Sequence, residues 1–136
     1  MNAVDTNILL YAHDPRDPSK QTVAISLLQS ITDGVLLWQV ACEYMAASRK
    51  LEPLGYNRSQ AWQDIRDLRQ VWSTILPSWK VLDRTAQLLD SYSLSFWDAM
   101  IISACLEGDV TRLYSEDFDA YPHVNGLEIV NPFRVS

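Results

Sequence analysis

Between Ala3 and Leu10 the chain is apolar except where Asp5, Thr6 and Asn7 interrupt it. The short run "NAV" predicts a first strand and "TNILLYA" a brief helix. Asp17 followed by Pro18 supplies an N-cap and a first-turn proline, and Val23, Ala24, Leu27, Leu28 and Ile31 then recur at helical spacing until "TDG" ends the pattern. "VLLW" after Gly34 predicts a buried strand, and "VACEYMAASRKL" a helix reaching Pro53. Ser59 is placed to cap a long helix whose apolar stripe is Trp62, Ile65, Leu68, Trp72, Ile75 and Leu76, with Asp64, Arg66, Asp67 and Arg69 largely opposite. "WKVL" reads as a strand, "RTAQLLDSY" and "FWDAMIISACLE" as helices, "RLYS" as a strand and "LEIV" as the last strand before "NPF". Strands that alternate with helices pair in parallel, each crossover helix covering a face of the sheet. The expectation is an α/β fold: a three-layer α/β/α sandwich with a short central parallel sheet. No repeat or low-complexity segment divides the 136 residues, which suit one domain, 1–136.

Open α/β sheets bind ligands beyond the carboxyl ends of their strands, and acids gather at those places. Asp5 follows the first strand. Glu116 and Asp117 follow "RLYS", Glu43 sits in the first turns after "VLLW", and Asp98 opens its helix. A carboxylate taken out of water without a partner costs several kcal/mol, and carboxylates at close range raise one another's pKa unless a cation neutralises them. Oxygen-only ligation selects hard ions such as Mg²⁺ or Mn²⁺, which activate water and stabilise charge developing on a phosphoryl group. Each acid also has an ordinary role open to it. Asp5 and Asp98 can cap the helices they begin; Glu43, alone among apolar residues in "VACEYMAA", can face solvent; Glu116 and Asp117 can be a solvated acidic loop in "SEDFDAYP". What favours a shared site is that all of these acids fall at one rim.

Composition narrows the partners. A net charge of −6 and a pI near 4.7 argue against a broad basic nucleic-acid surface, though bound cations would turn an acidic rim into a phosphate-binding one. No apolar run is long enough for a membrane span and "MNAVDTN" is not a secretory signal, so the expected location is the cytoplasm and no membrane partner is expected. Cys42 and Cys105, without a CxxC pattern or a neighbouring His, read as small buried hydrophobes. His13 and His123 lack metal-ligand spacing, and the five Trp read mostly as core. Arg49, Lys50, Arg66 and Arg69 could meet phosphates but suit a solvated helix face. None of Lys20, Lys50 and Lys80 follows a strand where an aspartyl-phosphate receiver would need its lysine.

Taken in order, "VDTNILLYA", Glu43 in "VACEYMAA", "SFWDAMIISAC" around Asp98, and "LYSEDF" with the closing "GLEIVNPF" resemble a PIN domain, in particular the ribonuclease toxin of VapBC-type toxin–antitoxin modules. The resemblance spans the chain. It implies a Mg²⁺- or Mn²⁺-dependent endoribonuclease acting on an RNA substrate, a homodimer, and a cognate antitoxin that blocks the site. Asp5, Glu43 and Asp98 fall on the family's three acidic positions and Asp117 on the fourth, with Glu116 beside it as a further metal-ligand candidate. Thr6, Asn7 and Ser115 match polar positions that orient the carboxylates. Two other readings stay open on the same residues: a PIN nuclease of RNA processing outside any toxin pair, and a non-catalytic PIN-like fold whose acids bind a partner.

Overall fold

A computed structural model describes residues 1–134. Strand β1 (Asn2–Val4) leads into α1 (Thr6–Tyr11), then α2 (Pro18–Ser30), β2 (Gly34–Leu37) and α3 (Trp38–Ala47). After a 3₁₀ segment at Ser48–Leu54 come α4 (Arg58–Val71), β3 (Ser73–Ile75), α5 (Trp79–Ser91), α6 (Phe96–Glu107), β4 (Arg112–Tyr114), β5 (His123–Val124) and β6 (Leu127–Val130). The strands form one sheet in the order β3-β2-β1-β4-β6-β5, parallel throughout except for β5 against β6. From β1 the chain steps outward through β2 and β3, then returns to lay β4 on the other side of β1. The direction of winding therefore reverses between β1 and β4, the place where an open α/β sheet forms its ligand crevice.

The sheet interior is apolar on both faces, as parallel strands covered by helices must be. All four residues of β2 are buried, and Ile8, Leu37, Tyr44, Leu88, Ile102, Leu113 and Leu127 are among the largest fully buried side chains. α5 and α6 pack as a pair, tied where the Ser103 and Thr85 hydroxyls both donate to the carbonyl of Val81. No helix among the described residues is long and apolar enough to cross a membrane.

Several local expectations give way. Asn57, not Ser59, caps α4, in a reciprocal box: its side chain accepts from the Gln60 amide while the Gln60 side chain accepts from the Asn57 amide. The stripe running from Trp62 to Leu76 spans two elements, because α4 ends at Val71 and Ser73–Ile75 pairs with β2 as β3. "WKVL" is helical: Ser78 accepts from the Val81 amide and starts α5 there. The helix expected to reach Pro53 ends at Ala47, and Pro53 lies in the tighter 3₁₀ turn. β5 was not expected, yet its signal was present. Asn125 (φ 49°) and Gly126 (φ 91°) make the two-residue turn joining β5 to β6, the positive-φ pair that an Asn-Gly hairpin requires.

Of the two cysteines, Cys105 is buried as expected, whereas Cys42 is exposed. The tryptophans depart further from expectation. Only Trp72 is core, while Trp38, Trp62, Trp79 and Trp97 are exposed.

Trp72 lies across β2 at Gly34, where a Cβ would come within 2.1 Å of the indole ring. The absent side chain lets the ring seal the end of the sheet. We expect Gly34→Ala to cost about 1–3 kcal/mol through this overlap, read as a lower chemical-denaturation midpoint at unchanged slope. An unchanged midpoint would mean that the ring moves aside freely.

Candidate active site

Asp5 emerges from β1 at the reversal point and is almost fully buried, 4% exposed. Its amide donates to the Tyr114 carbonyl, continuing the β1–β4 ladder by one step. It also caps α1, with Oδ1 accepting from the Thr6 amide at 2.7 Å, while Oδ2 accepts from the Ser115 hydroxyl at 2.7 Å. Capping and a place in the acidic rim thus coexist in one side chain. No cation pairs with Asp5 among the described residues. Burial, and secondarily the negative charges of Asp117 and Glu43, push its carboxyl up to about 6 despite the two hydrogen bonds that favour the ionised form.

Around Asp5, Glu43 and Asp117 are held by neutral donors. Glu43, one turn into α3, accepts from the Thr6 hydroxyl at 2.7 Å and from Gln39 Nε2 at 2.6 Å. The same Gln39 nitrogen donates to the Trp97 carbonyl at 3.1 Å, tying the start of α3 to the start of α6, while the buried Oε1 of Gln39 has no partner. Asp98 stands in the first turn of α6; Ser95 supplies the cap, its hydroxyl accepting from the Asp98 amide, so the Asp98 carboxylate is not spent on that role. Asp117, exposed, accepts from Asn7 Nδ2 at 3.1 Å, and its amide donates to the Ser115 hydroxyl. Its carboxyl too is raised, by burial first and then by the charges of Glu116, Asp98, Asp119 and Glu43. Thr6, Asn7 and Ser115 each donate a side-chain hydrogen bond to one of these acids.

Glu116 differs from its neighbours. Its carboxylate accepts from the Tyr11 hydroxyl at 2.6 Å and from Lys20 Nζ at 2.9 Å. Lys20 follows no strand, but α2 folds back to bring it beside the loop after β4. The sequence also missed Gln39, although its spacing of four residues from Glu43 on one helix was a usable signal.

Residues 3–126 match the PIN domain family. The chain belongs to that family. No curated relative matches the sequence. Solved PIN-type structures share the fold at low identity. A toxin–antitoxin complex from Klebsiella pneumoniae superposes with a TM-score of 0.72 at 18% identity, covering 99% of this chain and 100% of that one. VapC20 of Mycobacterium tuberculosis, described as a sarcin–ricin loop cleaving toxin, gives 0.70 at 16%, covering 91% and 97%. VapBC2 of Rickettsia felis, bound to a DNA fragment from its promoter, gives 0.66 at 16%, covering 96% and 97%.

The donor set at the rim of this PIN domain suits a hard divalent cation: carboxylate oxygens without a sulfur or imidazole, uncompensated by basic side chains, and arranged so that at least two are harder to ionise. Among the described residues no three such groups already stand close enough to hold an ion. The neutral tethers keep the acids near one rim but apart, as mutual repulsion requires.

The charge on Asp5 has a measurable consequence. A folded pKa above the ordinary 3.8 means that ionisation opposes folding: the penalty is absent below pH 3.8, grows with pH, and is complete above about 6. At neutral pH it is on the order of 3 kcal/mol. In chelator, Asp5→Asn should melt above the parent at pH 8, with the difference shrinking as pH falls through 6 toward 4. A gap independent of pH would show that the buried charge is not its source.

Proposed function

We propose that the protein is a Mg²⁺- or Mn²⁺-dependent endoribonuclease, the toxin of a VapBC-type pair, with Asp5, Glu43, Asp98 and Asp117 as its catalytic carboxylates. The observation that carries this reading is electrostatic. Asp5, Glu43, Asp98 and Asp117 lie along the reversal point of a PIN fold, near enough for the charges of the other three to act on Asp117, and none has a counter-cation among the described residues, although the neighbouring Glu116 has one. When bound there, a divalent ion supplies charge neutralisation and water activation for hydrolysis of a phosphodiester.

The protein's own residues do the positioning. Thr6 and Gln39 fix both oxygens of Glu43, Ser115 and the Thr6 amide fix Asp5, and Asn7 fixes Asp117. Fixed carboxylates need little reorganisation when charge develops in the transition state. Asp117 is exposed, so this side of the rim faces solvent.

The toxin reading is supported by fold likeness to structures described as a toxin–antitoxin complex, as VapBC2 and as a VapC toxin. In such a pair the antitoxin would neutralise the acidic rim with a basic side chain, and a guanidinium fits carboxylates best because it binds two oxygens in one plane. A homodimer is supported by the apolar surface beside the site. A groove of about 250 Å³ is lined by Trp38, Cys42, Leu76, Pro77, Trp97 and Met100, and Trp97 is 62% exposed. Apolar area of this kind marks contact surfaces.

Asp5→Asn, Glu43→Gln and Asp98→Asn should each lower Mn²⁺-dependent cleavage of RNA by about 100-fold or more, with far-ultraviolet circular dichroism unchanged and double variants little worse than singles. Asp117→Asn should behave in the same way. Full activity in any of them removes that residue from the machinery. Co-expression with an antitoxin encoded beside the gene should relieve growth arrest, and sedimentation at micromolar concentration should show a dimer; a monomer would leave the apolar groove to another partner.

A further inference from the structure

We propose that Lys20 is a positioning residue: by pairing with Glu116 it withholds that carboxylate from the cation-binding set, so the rim presents four acids, with Asp117 as the fourth. The proposal rests on the metal-dependent reading above and concerns which of two adjacent acids serves it.

Both carboxylates of the loop after β4 are held by one face of α1. Asn7 and Tyr11, four residues apart and thus one above the other on the helix, donate to Asp117 and Glu116 respectively. The two restraints differ in strength. Asn7 gives Asp117 a single neutral bond at 3.1 Å, leaving its other oxygen without a side-chain or backbone donor among the described residues. Glu116 has both oxygens occupied, Oε1 by the Tyr11 hydroxyl and Oε2 by Lys20 Nζ, and the latter bond is charge-assisted.

Lys20 is itself fixed. Its ammonium also donates to the Tyr11 hydroxyl at 3.2 Å and lies 4.8 Å from the Tyr11 ring centre and 5.4 Å from that of Phe133, and these two rings meet edge to face at 5.1 Å. The cation rests against two aromatic rings and points at one carboxylate. Such an arrangement, half-buried on both sides, resists rearrangement more than a solvent-exposed pair does. Glu116 is therefore neutralised internally, while Asp117 stays free to take an external cation.

Charge arithmetic gives the test its signs. Removing the ammonium releases an extra negative charge beside Asp117; removing the carboxylate leaves an extra positive one. Mn²⁺ binding is measured by titration calorimetry on the parent, Lys20→Met, Lys20→Arg, Glu116→Gln, the Lys20→Met/Glu116→Gln double variant and Asp117→Asn. Lys20→Met should bind Mn²⁺ roughly threefold to tenfold more tightly and Glu116→Gln weaker by a similar factor, as one added unit charge near a divalent ion requires. The double variant and Lys20→Arg should lie close to the parent, and Asp117→Asn should lose binding. If Lys20→Met and Glu116→Gln shift affinity in the same direction, or neither shifts it, the clamp is overturned while the four-carboxylate reading stands. If Lys20→Met does not fold, the weakening in Glu116→Gln and its reversal in the double variant carry the same decision. If Asp117→Asn binds Mn²⁺ like the parent, Asp117 is not the fourth acid and the clamp is overturned while the metal-dependent reading stands; if the parent binds no Mn²⁺, that reading fails and the clamp with it.

Discussion

A buried carboxylate at the end of β1 organises this fold's working edge. Asp5 can occupy that position because the β1–β4 register brings Val4 opposite Tyr114, so that the next residue on each strand, Asp5 and Ser115, meet at the end of the ladder. From that meeting a line of hydrogen bonds extends both ways. Thr6, whose amide bonds Asp5, carries its hydroxyl to Glu43; Ser115, whose hydroxyl bonds Asp5, accepts from the Asp117 amide. The acids on α3 and on the loop after β4 are thus placed relative to one residue, and a shift of strand register would separate them together.

The same bonds satisfy the polar atoms of Asp5 without neutralising it. Neutral donors favour an ionised carboxylate, but here burial outweighs them, and the nearby charges of Asp117 and Glu43 add to the burden. Elsewhere the molecule pairs its charges in the ordinary way: Arg16 with Asp14, Arg84 with Glu107, Arg112 with Glu128, Arg134 with Asp119. Unpaired acids such as Glu52, Asp67, Asp83 and Asp90 lie exposed, where water screens them; what sets the rim apart is that Asp5 carries its charge buried.

Much of this was legible in the residues because strands followed at once by acids signal both a parallel sheet and its carboxyl edge. Helices with strong local punctuation, such as Asp17-Pro18 at the start of α2, also read correctly. The misreadings have physical causes. A helical stripe continued through Trp72 and Ile75 because β3 is only three residues long and its Ile extends the apolar spacing of α4. Trp62, Trp79 and Trp97 look like core by type, yet exposure depends on what packs against a face, which spacing alone does not reveal. The Lys20–Glu116 pair leaves no trace in local spacing because 96 positions separate its partners, and only the return of α2 brings them together.

Gln39 links the two features that the rim and its surroundings have in common. One nitrogen serves both Glu43 and the backbone at Trp97, so the residue beside the acids and the residue at the edge of the apolar groove share a single donor. Its buried oxygen, without a partner, is the one polar side-chain atom among the described residues left in that state, and such an atom carries the full penalty of lost hydration. The start of α3 and the start of α6 are therefore held in register with Glu43 by one side chain, so the acid and the edge of the apolar groove share a common anchor.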